Sequence, residues 1–239
     1  HSVGDNLAQY GTPPGDVRAT IASYGGGSFA FWDHSYPWSS GADGLRNPAG
    51  SLVGSDYGIS DTDPVGLADV FTASGANSTG RTNVMNNHQI IVMKSCFISL
   101  YNLSDAQLTT NKNYYLAMRD YFDANPSKLF MVVTPPPFHS SDPRDGSGVT
   151  QATAANNARA FANWMKSTSA GGYLAGTHPN FVCLDLFNYL ANAAGGAGAN
   201  MLKTVYFTGS AGDSHPNDTF NAYFAPIFAR FIIDAARAY

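Results

Sequence analysis

The chain has little charge and no run of one sign. Only 13% of its 239 residues are Asp, Glu, Lys or Arg, and the net charge is −4, whereas roughly 25% is usual for a soluble domain. The absence of a basic run argues against a nucleic-acid partner. No apolar run approaches the roughly 20 residues of a membrane-spanning helix. We therefore expect a surface covered mainly by Ser, Thr, Asn and Gly.

Cysteine is also scarce, since only Cys96 and Cys183 are present. Two cysteines do not form a disulfide framework. Neither has a second Cys or His at the spacing of a metal-ligand pair. Both lie in or beside apolar runs, which are the usual surroundings of a buried free cysteine. We predict no metal site and no cofactor.

Apolar residues, by contrast, are plentiful. Hydrophobic residues make up 44% of the chain and aromatic residues 13%, which is enough for a large core in one α/β domain. We predict a single domain over residues 1–239, with a turn-rich insertion at about 37–88. Three Asn-x-Ser/Thr sequons, at Asn77, Asn102 and Asn217, accompany the low charge. We expect a secreted, extracellular protein.

Short apolar runs alternate with amphipathic stretches along the chain. Runs at 89–93, 129–133 and 181–184 predict strands buried on both faces of a parallel sheet, and a further strand is predicted at 28–32. Helices are predicted over 16–24, 63–71, 113–124, 150–167 and 218–238. This alternation predicts a three-layer α/β/α domain with a mostly parallel sheet. Ligands of such sheets bind beyond the carboxyl ends of the strands.

A carboxylate and an imidazole stand two residues apart just before the last predicted helix, in Gly212-Asp213-Ser214-His215-Pro216-Asn217. Pro216 and Asn217 suit the start of that helix, with Asn as its N-cap. A His on such a loop, with an Asp beside it, can act as a general base. The candidate nucleophile, Ser2, stands at the opposite end of the chain in His1-Ser2-Val3-Gly4.

These residues resemble the SGNH (GDSL-like) hydrolase superfamily, in a divergent branch. His1-Ser2-Val3-Gly4 resembles a variant of its nucleophile block, and residues 213–217 resemble its Asp/His block. Lys94-Ser95-Cys96-Phe97 stands where the superfamily usually has Gly-x-Asn-Asp, and residues 158–164 resemble a helix common in this branch. With the order of strands and helices, the resemblance spans nearly the whole chain. It implies a flavodoxin-like sheet.

The resemblance also implies the chemistry of a serine esterase. Ser2 is the implied nucleophile, His215 the base and Asp213 the residue that orients the imidazole. The backbone N–H groups of Ser2 and Gly4, together with Ser95, are the implied oxyanion donors. The implied substrate is a small acyl ester or an acylated glycan.

Four aromatic or imidazole side chains cluster in sequence where the predicted insertion begins: Trp32, His34, Tyr36 and Trp38. They are candidate substrate-binding residues that could stack against sugar rings. Packing beneath the long insertion is the alternative explanation.

The superfamily's sheet order bears on the two cysteines. It implies that the strand ending near Cys96 and the strand carrying Cys183 flank a third strand. Neighbouring strands lie about 4.8 Å apart, so the two cysteines would be separated by about 10 Å. That distance exceeds the reach of a disulfide, and two free thiols are implied.

Two other interpretations remain open. Asp213 and His215 are one residue closer than in the superfamily's Asp-x-x-His, and the Gly-x-Asn-Asp block is absent. Both departures favour a non-catalytic carbohydrate-binding or surface structural protein, because a fold alone does not establish activity. Alternatively, a free amino-terminal His1 with His34 or His215 would suit copper. The oligomeric state is left open.

Overall fold

The computed structural model describes residues 7, 17–25, 29–34, 44–59, 63–72, 77–97, 103–142 and 149–239. Within these residues the chain forms seven α-helices, a three-stranded parallel sheet and a two-stranded antiparallel pair. The mixed α/β architecture predicted from the sequence is therefore confirmed.

The described elements follow one another in this order: α1 (Val17–Gly25), β1 (Asp33–His34), β2 (Leu45–Arg46), α2 (Pro64–Thr72), α3 (Ser78–Asn87), β3 (Ile90–Lys94), α4 (Asp105–Asp123), β4 (Leu129–Val133), α5 (Gln151–Lys166), β5 (Phe181–Leu184), α6 (Phe187–Leu190), a 3-10 turn (Thr204–Tyr206) and α7 (Asp218–Ala238). The three core strands, and every predicted helix except one, lie within one residue of their predicted ends. The exception is α4, which begins earlier because the Ser104 hydroxyl accepts a hydrogen bond from Gln107 N and caps it.

The strand predicted at 28–32 is wrong for the residues described there. Residues 29–32 have no regular secondary structure, and only Asp33–His34 form a short strand, paired with Leu45–Arg46. Phe29 and Phe31 nevertheless pack against the core. The apolar character of this run is thus explained by side-chain burial rather than by a place in the sheet.

The predicted insertion contains a helix, α3, that its composition did not indicate. The helix is polar, and of its residues only Gly80 is fully buried. A Cβ at Gly80 would lie 2.7 Å from the Ile59 side chain and 2.9 Å from the Tyr57 carbonyl oxygen. The absence of a Cβ at Gly80 therefore allows the helix to pack closely against Tyr57 and Ile59.

The sheet has the order β3-β4-β5, and both of its pairings are parallel. All five residues of the central strand β4 are buried, as expected for a strand covered on both faces. In register, Lys94 pairs with Val133, which in turn pairs with Leu184. The carboxyl ends of the three strands therefore meet at one edge, which we call the carboxyl rim.

Both faces of the central strand of this sheet are covered. The Phe122 ring of α4 stacks on Phe130 of β4 at 4.2 Å, and Phe71 of α2 packs edge-on against both rings. Val133 of β4 lines a cavity together with Phe224 of α7. Because odd and even residues of a strand point to opposite faces, Val133 faces away from Phe130, and its burial shows that this second face is covered as well.

The first and last described helices pack against each other. The Tyr24 hydroxyl donates to Asp234 Oδ1 at 3.0 Å, and Arg237 Nη2 donates to the Tyr24 carbonyl oxygen at 3.1 Å. Gly25 also lies at ordinary van der Waals distance from α7, since a Cβ there would be 3.6 Å from Ile233. Helix α1 is thereby fixed on α7.

Cys96 and Cys183 are both free thiols. Cys183 lies on β5, and Cys96 follows β3 by two residues. Because β4 separates these two strands, the implied arrangement of the cysteines is confirmed. None of the described helices combines the length and the apolar character needed to cross a membrane.

Candidate active site

The loop before α7 carries Asp213 and His215. It is closed at its base by a bridge between Phe207 and Pro216. The Asn217 side chain accepts from Phe220 N and donates to the carbonyl oxygens of Val205 and Phe207, which confirms the predicted N-cap. The loop is therefore anchored to the start of the helix on one side and to the 3-10 turn on the other.

Asp213 and His215 form a hydrogen-bonded pair within this loop. His215 Nδ1 lies 2.5 Å from Asp213 Oδ1, and the backbone N–H of His215 donates to the same oxygen at 2.9 Å. Thr208 Oγ1 donates to the other carboxylate oxygen at 3.3 Å. An Asp side chain that bonds the backbone two residues ahead forms an Asx turn. This turn brings the carboxylate to the imidazole despite the short spacing.

The pair lies partly open to solvent. The side chains of His215 and Asp213 are 35% and 37% exposed. Burial raises the pKa of Asp213, but hydrogen bonds from the His215 backbone and ring, the nearby His215 charge and Thr208 outweigh it and lower the pKa overall. Asp213 is accordingly ionised at neutral pH, beside an imidazole that a ligand can approach.

An aromatic residue places the pair at the carboxyl rim. The Phe97 ring meets the His215 ring edge-on, with centroids 5.4 Å apart and planes at 89°. Phe97 follows β3 by three residues. The imidazole therefore lies beside the end of β3, at the edge where an α/β sheet binds its ligands.

Ser214, between the two paired residues, joins their loop to the segment that follows β4. Its hydroxyl donates to Asp142 Oδ2 at 2.7 Å and accepts from His139 N at 3.0 Å. Ser214, Asp142 and His139 are all buried. The Asp213–His215 loop is thus held from behind by two buried hydrogen bonds.

His139 is a second imidazole at this rim that sequence reasoning missed. Its ring stacks on Phe207 with centroids 3.7 Å apart, and its Nδ1 accepts from Ser141 N at 3.1 Å. Burial lowers the pKa of His139, although the Asp142 charge opposes this shift. The signal in the sequence was its position, because His139 directly follows the segment 134–138 that leaves β4.

Ser95 does not face the rim as its predicted oxyanion role requires. It is fully buried, and its hydroxyl accepts a hydrogen bond from the Tyr115 hydroxyl at 2.9 Å. Its carbonyl oxygen accepts from Lys94 Nζ at 2.8 Å. These contacts point Ser95 into the core beneath the rim, which argues against direct contact with a substrate.

Trp32 and His34 lie at the other end of β3. His34 stacks on Tyr57 and accepts from Tyr57 N at 3.2 Å, while Trp32 packs edge-on against His88 at 6.4 Å. His88 precedes β3 by two residues, whereas Phe97 follows it. The structure thus brings the two predicted residues together, but not with His215. We call Trp32, His34, Tyr57 and His88 the aromatic cluster.

The remaining candidates lie outside the described residues. These are the predicted nucleophile Ser2, the predicted oxyanion donor Gly4, the predicted substrate-binding residues Tyr36 and Trp38, and His1 of the copper hypothesis. Across the ranges described, no group of three or more His, Cys, Asp or Glu side chains is arranged to hold a metal ion.

A polar network also follows β5 at the rim, and its members bond one another. Asp185 forms an ion pair with Lys166 and accepts from Asn188 Nδ2 at 2.7 Å. The guanidinium of Arg159 donates to three oxygens, namely Asn188 Oδ1, Asn192 O and Asn200 Oδ1. The network holds the Gly/Ala-rich loop 192–200 against α5. Because its polar groups are bonded to one another, the Asp213–His215 pair is our candidate for chemistry.

Comparisons of the chain with models of protein families, with curated proteins and with solved structures found no significant match.

Proposed function

We propose that this protein is a serine-type ester hydrolase that acts on small acyl esters, including acyl groups carried by carbohydrates. The observation that supports the proposal best is the 2.5 Å contact between His215 Nδ1 and Asp213 Oδ1 on a loop at the carboxyl rim. A carboxylate that orients an imidazole is the arrangement by which a serine hydroxyl is activated.

In the proposed reaction, Asp213 holds the Nδ1–H of His215, so that Nε2 carries the lone pair. Nε2 takes the proton of the Ser2 hydroxyl while its oxygen attacks the ester carbonyl carbon. The imidazolium then gives this proton to the departing alkoxide, which leaves as an alcohol. A water molecule, activated by the same imidazole, cleaves the acyl-enzyme and releases the acid. The backbone N–H groups of Ser2 and Gly4 are the proposed oxyanion donors.

Membership of the SGNH superfamily, with its flavodoxin-like sheet, is part of the same proposal. The parallel order β3-β4-β5 and the Asp–His pair just before the last helix are the features that support it. A secreted location is likewise proposed, from the low charge and the sequons.

The chain offers a matched control for testing this reaction. His178 Nδ1 lies 2.9 Å from Asp123 Oδ1, so it also forms a His–Asp pair. However, His178 precedes β5, at the opposite end of the sheet from the carboxyl rim. His178→Ala therefore removes the same type of pair without touching the candidate site.

The experiment compares hydrolysis of p-nitrophenyl acetate by the wild type and by Ser2→Ala, His215→Ala and His178→Ala. We expect the first two variants to lose about 10³-fold or more in kcat/KM and the third to keep wild-type activity. A fluorophosphonate probe should modify Ser2, as located by mass spectrometry. Equal rates in all four proteins, or a probe attached elsewhere, would refute the assignment.

A non-catalytic glycan-binding protein is the second candidate, and Trp32 favours it. The residue is 39% exposed and its ring lies beside His88. A ring that stacks against a sugar must be accessible to it. Saturable glycan binding without turnover, lost in Trp32→Ala and retained in Trp164→Ala, would support this candidate. Ester turnover that depends on His215 would exclude it.

A further inference from the structure

A cavity of about 280 Å³ lies along β3, the edge strand of the described sheet. Residues of both faces of β3 border it, together with α2, α7 and the segment 29–34. Its lining is predominantly apolar, with contributions that include Ile90, Val92, Leu67, Phe71, Phe224 and Phe228. The cavity is distinct from the Asp213–His215 pair, because neither of those residues borders it.

Among the described residues that border this apolar space, Lys94 is the one Lys or Arg. Lys94, the last residue of β3, is partly buried, and its ammonium donates to the Ser95 carbonyl oxygen at 2.8 Å. Among the residues that the structure describes, Lys94 Nζ has no other hydrogen-bond partner and no carboxylate within ion-pair distance. Desolvation lowers the pKa of Lys94 to about 8. A desolvated ammonium without a counter-ion is an electrostatic site for an anion.

The polar groups at the other end of β3 already contact one another. In the aromatic cluster, the Tyr57 hydroxyl lies 2.8 Å from His88 Nε2, and His34 accepts from Tyr57 N. Asp33, the acidic residue in the described lining, lies beside Arg18 at 3.9 Å and next to His34. The cavity thus has a cation, Lys94, at one end and an apolar lining along β3. At its far end the polar groups are bonded to each other.

The length of β3 sets the length of a ligand that lies along it. From Ile90 to Lys94 the strand rises about 13 Å at roughly 3.3 Å per residue. About ten carbon–carbon bonds of roughly 1.5 Å cover this length as an extended zigzag. A straight alkyl chain of this length can therefore lie along the strand within the cavity of about 280 Å³.

We propose that this cavity binds a straight-chain carboxylate of about eight to ten carbons, with its carboxylate paired to Lys94 and its alkyl chain lying along β3. A single ammonium matches the single charge of a carboxylate. The apolar lining matches the alkyl chain, since transfer of each methylene from water is favourable. The proposal does not depend on ester hydrolysis, because it invokes neither His215 nor Ser2.

The test is calorimetric titration of the full chain with hexanoate, octanoate and decanoate, each below its micelle concentration. We expect one site per chain, with affinity rising about fourfold per methylene. Lys94→Met should weaken decanoate binding by about tenfold or more, since it removes the counter-ion. It should change binding of 1-decanol by less than about threefold, because the alcohol carries no charge. Lys94→Arg should restore decanoate binding.

Two further variants distinguish binding in the cavity from binding at the surface. Lys112, whose ammonium lies 5.5 Å from the Trp164 ring, does not border the cavity, so Lys112→Met should bind decanoate as the wild type does. Val92→Trp should fill the cavity and abolish binding of both decanoate and 1-decanol. Absence of saturable binding, affinity independent of chain length, or equal decanoate affinity in the wild type, Lys94→Met and Val92→Trp would overturn the proposal.

Discussion

His215 Nδ1 lies 2.5 Å from Asp213 Oδ1, although a single residue separates the two in the chain. The carboxylate reaches the ring because it also accepts the backbone N–H of His215. The pair is therefore built by a local turn, and the distant contacts of Ser214 hold that turn in place. A substitution that removes the charge of Asp213 but keeps its shape therefore tests the proposed chemistry.

Asp213→Asn should lower kcat for p-nitrophenyl acetate by about 10³-fold or more. An amide of the same shape loses the negative charge that stabilises the imidazolium and selects the Nδ1–H tautomer. Steady-state kinetics across a range of about pH 6 to 9 would measure the loss. This range includes the ordinary pKa of an imidazole, roughly 6.5. Asp218→Asn is the control, because Asp218 is exposed in the first turn of α7. A similar loss in both variants would contradict the assigned role.

Ser214→Ala should lower the free energy of unfolding by about 1–3 kcal/mol. The substitution removes a buried hydrogen bond to the Asp142 carboxylate and another from His139 N. Urea denaturation would measure the change. Ser210→Ala, at an exposed position of the same loop, should stay within about 0.5 kcal/mol of the wild type. Equal stability of the two variants would show that the Ser214 contacts are not stabilising.

Lys94→Met should stabilise the ligand-free protein at neutral pH. Burial lowers the pKa of Lys94 in the folded protein to about 8, from the ordinary 10.5. Between these values the unfolded chain binds more protons, so this group makes the wild type more stable as pH rises. Because the residue is partly exposed, we expect a gain of about 1–3 kcal/mol at pH 7.

The gain from Lys94→Met should shrink as the pH rises from about 8 towards 10.5. Denaturant midpoints of the wild type and the variant, measured side by side at several pH values, would show this convergence. The control is Lys112→Met, which should give a pH-independent difference. A stability difference for Lys94→Met that does not change with pH would contradict the origin assigned to it.

Titration of the unfolded, unreduced protein with a thiol reagent should find two thiols, because Cys96 and Cys183 are free. In the folded protein Cys183 should react slowly, since burial raises the pKa of its thiol to about 12 and little thiolate is present. Stopped-flow measurement would separate the reaction rates of the two thiols. A count of zero in the unfolded protein would contradict the free thiols, and equal fast rates in the folded protein would contradict the protection of Cys183.

The core strands and the last helix could be predicted because their patterns are simple. Continuous apolar runs identified β3, β4 and β5, and α7 combined an Asn217 cap with an apolar stripe. Helix α3 could not be predicted, since most of its residues are polar and its position depends on the close approach of Gly80 to Tyr57 and Ile59. The strand prediction for residues 29–32 was wrong for the opposite reason. These residues are apolar enough for a strand, but they contact the core through side chains, without strand pairing.

The candidate site was predictable only where its contacts are local. Asp213 and His215 stand two residues apart, so their pairing could be expected from the sequence. The contacts of Ser214 with Asp142 and His139 span 72 and 75 residues, and no local pattern encodes them. Ser95 was placed at the rim from its position after β3. Its burial depends on Tyr115, which reaches it from a helix twenty residues further along.

The contact between α1 and α7 joins segments that are 210 residues apart at Tyr24 and Asp234. During synthesis at about 5–20 residues per second, Val17 and Ile21 emerge long before the helix that covers them. Segments between them, including β3, β4 and β5, can associate earlier because their contacts are closer in sequence. Helix α1 therefore lacks its packing partner until α7 has been synthesised, and during this interval its apolar residues Val17 and Ile21 are open to non-native contacts.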